Sequence, residues 1–309
     1  MSVDAQRLLD VIGASDCDWA VLDVPGGEEA LAIRVRADDA VGAWERARAA
    51  VGETQRWPIR TAMGLVPAEA TTWQEAVRGA ELFSRFFFND GAGGADTAPR
   101  AICARAITTD VDEGLRRIEA RWGETNLLFP DQLFTAEVDS ETRLWGTCPP
   151  ESDLRAAAAG AVDPGLAVDR YLFDWERRTL PPESWDRFQP HPGFRPGGDE
   201  VLVLLPTAVP WEAYAYVCTL YEVCVYGGDL LVAAARRWYE NYEAVPITMW
   251  GTMTELAVAR PPATLDDAWR LAREHVLLAP YQFTNAGWTA RLQAHLLMTS
   301  PTWFLHSRP

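Results

Sequence analysis

The 309-residue sequence contains no lysine; its 28 basic residues are all arginine. Chemistry that begins from a primary-amine side chain is thereby excluded from this chain: Schiff bases, pyridoxal-phosphate attachment and phosphate capture by a P-loop lysine. The uniform choice of arginine points to a G+C-rich bacterial genome. Other signatures are also missing. There is no CxxC, no GxGxxG following a strand, no GxSxG and no HExxH, so no cofactor fingerprint or nucleophile elbow is present. The four histidines, His191, His275, His295 and His306, show neither HxH nor HxxxH spacing, and a zinc site would have to be assembled from distant segments. No apolar run approaches the roughly 18 residues of a membrane helix. The start, "MSVDAQRLLDVIG", has an early acid and no basic n-region, unlike a signal peptide. Five scattered cysteines, an odd number, read as free thiols of a reducing cytoplasm. The expectation is a cytoplasmic protein with no cofactor, no metal and no membrane partner.

What is present is an excess of acid and a heavy load of aromatic residues. The net charge is -16, and the chain carries 14 tryptophans. Phosphate repels such a chain, which excludes nonspecific nucleic-acid binding. The same charge favours solubility and steers basic partners. Tryptophans at this density serve as core or interface anchors, because each buries a large area.

Periodicity predicts an α+β protein with two mixed domains, each a small, mostly antiparallel sheet with packed helices. The expected boundaries are 1–147 and 200–309, joined by a proline-rich connection over 148–199 that holds one short helix, "LRAAAAGA". In the first half "WAVLDV" and "EALAIRVR" flank "PGG" and predict a hairpin. "RWPIRTAM" and "AICARAIT" read as strands. "DDAVGAWERARAAV", "TTWQEAVRGAELFSRFF" and "TDVDEGLRRIEARW" read as helices. In the last hundred residues "EVLVLLP" is a strand, "VPITMWGTMTELAVA" a hairpin, and "GGDLLVAAARRWYENYEA", "TLDDAWRLAREHVLLA" and "TARLQAHLLM" are helices. "PTWFLHSRP" adds an edge strand. "WPIRT" and "VPITM" form a weak internal echo, which either a duplication or shared architecture would produce.

The stretch "PWEAYAYVCTLYEVCVYGGD", Pro210 to Asp229, reads as a long central strand. Alternation places Glu212, Tyr214, Tyr216, Cys218, Glu222 and Cys224 on one face, with Trp211, Val217 and Tyr221 among those on the other. Cys218 and Cys224 would lie roughly 20 Å apart along such a strand, beyond disulfide reach, as buried filling. His275, ending a helix, would place its cation at the carboxyl end. "APYQFTNAGWTA", 279–290, reads as a loop.

The last third resembles a bacterial family of unknown function. The resemblance rests on "PWEAYAY" (210–216), "RRWYENYEAVPITMWGTMTELAVARPPAT" (236–264), "DDAWRLAREH" (266–275) and "SPTWFL" (300–305). Where members carry a glycine- and tryptophan-rich turn, this chain has "CTLYEVCVYGG". The resemblance implies a fold and no reaction. Two functions follow from the residues. One is a noncatalytic cytoplasmic binding protein, such as an immunity or defence component, that engages a protein of basic surface through an acidic, aromatic surface of its own. The alternative is a small-molecule enzyme or sensor. Its pocket would be formed by Glu212, Tyr214, Tyr216, Cys218, Glu222, Trp250, Glu255, Tyr281 and Trp288, with paired carboxylates available for acid–base work.

Overall fold

The structure, a computed structural model, describes residues 5–62, 72, 73, 75, 98–125, 138, 142, 145–181, 184, 198–217, 219, 220, 228–250, 252–285 and 288–307. Its strands are β1 (Trp19–Val24), β2 (Glu28–Val35), β3 (Trp57–Ala62), β4 (Glu200–Leu205), β5 (Ala244–Trp250), β6 (Met253–Val258) and β7 (Thr302–His306). Its helices are α1 (Ala5–Ile12), α2 (Ala40–Ala49), α3 (Val51–Thr54), α4 (Pro99–Ala106), α5 (Val111–Thr125), α6 (Glu151–Ala158), α7 (Pro164–Thr179), α8 (Ala213–Tyr216), α9 (Gly228–Tyr242), α10 (Leu265–Leu278), α11 (Pro280–Asn285) and α12 (Ala290–Thr299). The architecture is α+β. The chain divides into two compact units, one of residues 1–111, 191–260 and 301–309, the other of 112–190 and 261–300.

The first unit is built on a single seven-stranded sheet in the order β1-β2-β4-β3-β5-β6-β7. Every neighbouring pair is antiparallel except β3–β5. This corrects the expectation of two small sheets divided at 148–199. The reason lies in β4. All six residues of "EVLVLL" are buried, which requires cover on both faces and a neighbour on each side. The neighbours are β2 and β3, both from the first half of the chain. The echo segments pair in the same sheet: Arg60 of "WPIRT" stands opposite Thr248 of "VPITM".

The hairpin β1–β2 and the hairpin β5–β6 form as the alternation predicts. On α9 the stripe Leu231, Ala235, Trp238 and Tyr242 is buried, and the Tyr242 ring meets Trp303 of β7 edge-on at 5.4 Å. Helix α2 is tied to the sheet where Trp44 Nε1 donates to the Pro58 carbonyl at 3.0 Å. The expected strand "AICARAIT" is instead helix α4. Pro99 occupies its first turn, where no backbone donor is needed, and Ile102, Cys103 and Ala106 bury one face. "TTWQEAVRGAELFSRFF" lies almost entirely outside the described residues.

The second unit is helical among the described residues. The proline-rich stretch there does not act as a connection: it holds α6 and the 16-residue α7. Two of its prolines sit where helices tolerate them. Pro150 caps α6 and Pro164 opens α7. Asp163 accepts from Leu166 N at 2.9 Å, an N-cap bond of about 1 kcal/mol. Leu154, Val168 and Leu172 pack as the α6–α7 core. Thr264 caps α10, accepting from Asp267 N at 3.2 Å.

Candidate functional site

The segment from Pro210 does not start as a strand. Pro210–Glu212 is a 3-10 turn that runs into α8. Proline at the head of the turn presets its helical φ, and the alanines and tyrosines that follow accommodate a helix as readily as a strand. The helical turn redistributes the side chains that alternation had placed together. Glu212 accepts from Thr207 Oγ1 at 2.5 Å and faces Arg100 Nη1 at 3.5 Å. Tyr216 Oη donates to Glu28 Oε2 at 2.9 Å. Arg100 Nη2 donates to Glu28 Oε1 at 3.0 Å and to the Pro206 carbonyl at 2.8 Å. The guanidinium of α4 thus binds two carboxylates and the end of β4 together. Tyr214 is buried elsewhere, its hydroxyl 2.8 Å from Thr254 Oγ1 on β6.

Neither tyrosine is poised for proton transfer. Burial, reinforced by the Glu28 hydrogen bond, raises the Tyr216 pKa far above its ordinary value. Burial also raises that of Tyr214. The Cys103 thiol beside them is pushed up to about 12 by burial and by Glu212. A thiol nucleophile requires the opposite environment.

Glu255 belongs to a polar row on the sheet. Arg60, Thr248 and Glu255 are successive cross-strand partners on β3, β5 and β6, so they share one face. Thr248 Oγ1 donates to Glu255 Oε2 at 3.3 Å. At the inner end Arg60 forms a two-pronged ion pair with Glu200, Nε to Oε2 at 2.8 Å and Nη2 to Oε1 at 2.7 Å. The side chains of this pair are 11% and 5% exposed. At the outer end Phe304 stands opposite Glu255, and His306 opposite Met253. Those outer side chains are half-buried. Glu212 and Glu255 therefore have separate partners and are not shown as a facing acid–base pair.

Of the other expected pocket residues, Cys218 and Glu222 lie outside the described residues, as does Cys224. The side chain of Trp250 is likewise not described, nor is that of Tyr281. Tyr281 lies on α11, so "APYQFTN" is a helix rather than the loop expected. Trp288, in the second unit, donates through Nε1 to Gln293 Oε1 at 2.7 Å. The expected set is thus split between the two units.

The second unit contains a polar core that the sequence reading missed. Gln293 Nε2 lies 2.9 Å from His275 Nδ1. An amide donor there assigns the ring proton to Nε2. Burial lowers the His275 pKa to about 3, so the ring is neutral and the expected helix-end cation is corrected: the ring points into the core. Glu176 of α7 receives His295 Nε2 at 3.0 Å and lies 3.6 Å from Arg291 Nε. His295 is pushed down to about 2 by burial, with Arg177 and Arg291 adding to it. Its ring stacks at a tilt on Phe173, 4.8 Å between centroids. One sequence signal marks these residues. Glu176 continues the Val168–Leu172 stripe of α7, and His275 continues the Ala268–Leu271–Ala272 stripe of α10. A charged or polar side chain on a buried stripe must find an internal partner.

Among the described residues no group of three or more histidine, cysteine or carboxylate side chains is placed to hold a metal. Among them, too, no helix is long and apolar enough to cross a membrane. No curated protein and no solved structure matches this chain. Residues 201–306 match the family model described as a domain of unknown function, DUF4253. The C-terminal third, which supplies nearly all of β4 together with β5 to β7 and α8 to α12, is therefore similar to that uncharacterised domain.

Proposed function

We propose that the protein is a noncatalytic, cytoplasmic binding protein whose acidic surface engages a basic protein partner, as an immunity or defence component would. The observation that carries this reading is how the arginines are used. Arg34, Arg46, Arg100, Arg170 and Arg236 each lie within ion-pair distance of the chain's own carboxylates, and Arg60 is buried against Glu200. With 44 acids and 28 arginines, even complete one-to-one pairing leaves 44 − 28 = 16 carboxylates over. These give the surface a negative field that attracts cationic partners and repels anionic ones.

The field is dense near the N-terminus. Between residues 5 and 39 eight carboxylates accompany three arginines. Cys17 reports it: burial first, then Asp39, Asp16 and Asp18, raise its pKa above the ordinary value. The tyrosine, cysteine and histidine groups described above are engaged within the fold, which weakens the small-molecule alternative. The test is in-cell crosslinking followed by identification of the captured protein. A basic partner whose binding to the purified protein weakens steeply with salt is expected. A partner of neutral or acidic surface, or turnover of a metabolite by the purified protein, would overturn the reading.

A further inference from the structure

We infer that the outer edge of β1 is where the partner docks, by adding a basic strand to the sheet. This rests on the proposed function and names the contact. The register assigns which backbone groups are available. Asp18 O accepts from Arg34 N at 2.8 Å, and Gly27 N donates to Val24 O at 3.2 Å. With Ala20 opposite Ala32 and Leu22 opposite Ala30, the even-numbered residues of β1 turn their N–H and C=O groups toward β2. Trp19, Val21 and Asp23 turn theirs outward. Among the described residues β1 has no second neighbour in the sheet. Trp19 and Val21 are half-buried and Asp23 is exposed. The edge thus offers a row of backbone donors and acceptors, two apolar side chains and a carboxylate.

Charge selects the occupant. Asp16, Asp18 and Asp23 lie on or beside the strand, and the field of Asp16 and Asp18 is felt at Cys17. A second copy of this chain would bring like charges together across the new pair, which is destabilising. An extended segment of a partner protein that alternates arginine or lysine with aliphatic residues fits instead. Its backbone would complete the ladder, its aliphatic side chains would cover Trp19 and Val21 on one face, and its cations, on the other face, would meet Asp18 at the strand's start.

The experiment uses the full chain and a fluorescent ten-residue peptide of alternating arginine and valine. The control peptide has the same sequence with alternate backbone nitrogens methylated, which keeps charge and removes pairing. Val21→Pro deletes an outward N–H that β2 does not use, a substitution that edge strands tolerate. The expected result is binding of the first peptide at low salt, with hydrogen-exchange protection at the Val21 amide. Binding should be about tenfold weaker to Val21→Pro and for the methylated peptide, as expected for loss of ladder bonds. Equal binding of both peptides, or unchanged affinity in a folded Val21→Pro protein, overturns strand addition while leaving the basic-partner reading in place. If Val21→Pro does not fold, the methylated peptide decides alone. Failure to bind soluble polyarginine at low salt would instead overturn the basic-partner reading itself. A wild-type dimer made monomeric by Val21→Pro would show that a second copy fills the edge, and would overturn the proposal.

Discussion

The pair Arg60–Glu200 carries a quantitative prediction. It joins adjacent strands β3 and β4 through two charge-assisted hydrogen bonds of 2.8 and 2.7 Å, with little solvent access to either side chain. Replacing Arg60 by Met leaves a carboxylate buried without its cation. Replacing Glu200 by Leu leaves a buried guanidinium. Breaking a buried pair from one side costs about 3–5 kcal/mol, whereas replacing both partners by apolar residues is often neutral. A domain's total stability is about 5–15 kcal/mol, so either single variant is severely compromised and the double variant is not. Native-state hydrogen exchange at Val203 and Leu204 in β4 reads the stability of this unit directly. At about 1.4 kcal/mol per tenfold, the single variants should exchange roughly a hundredfold to several thousandfold faster, and Arg60→Met with Glu200→Leu close to wild type. Additive effects, with the double variant as unstable as the sum of the singles, would refute the claim that the cost comes from an orphaned charge.

Three further outcomes follow from the same geometry. A fragment of residues 200–309 should not fold alone, because it lacks both neighbours of β4 and the strand between β4 and β5; a cooperative thermal transition with native-like amide dispersion would disprove this. His275 and His295 are neutral in the fold, at about 3 and about 2, and ionise near 6.5 when unfolded. Below that pH the unfolded chain binds more protons, so the stability of the helical unit is complete above about pH 6.5. It should fall by roughly 1 kcal/mol per pH unit per histidine toward pH 3. Chemical denaturation across that range checks it, and a flat profile that His275→Gln does not alter would contradict it. Iodoacetamide at pH 8 should alkylate Cys17 more slowly than a free peptide thiol. Asp16→Asn with Asp18→Asn should speed the reaction only in part, because burial is the larger cause of the raised pKa.

What could be read from the candidate site divides along physical lines. The elements that rest on a short period were found, namely the helices α9 and α10 and the hairpins β1–β2 and β5–β6, whereas α7 with its Asp163 cap was not. The stretch from Pro210 misled because "EAYAY" alternates like a strand while proline and alanine also suit a helical turn; which pattern wins depends on the Thr207, Arg100 and Thr254 partners. Glu176, Arg291 and His295 escaped notice because they come from helices more than a hundred residues apart in the chain. Local pattern carries no information about who their partners are.

Composition and period by themselves determined the excluded amine chemistry, the acid surplus, the α+β class and the position of most strands and helices. These depend on residue identity and on neighbours within a few positions. Tertiary structure alone decided that β3 enters between β4 and β5, that one sheet replaces two, and which charges are neutralised inside. Those outcomes come from pairing between segments up to 189 residues apart, as in the Trp57–Pro246 bond. They are settled by which buried polar groups find partners when the strands assemble.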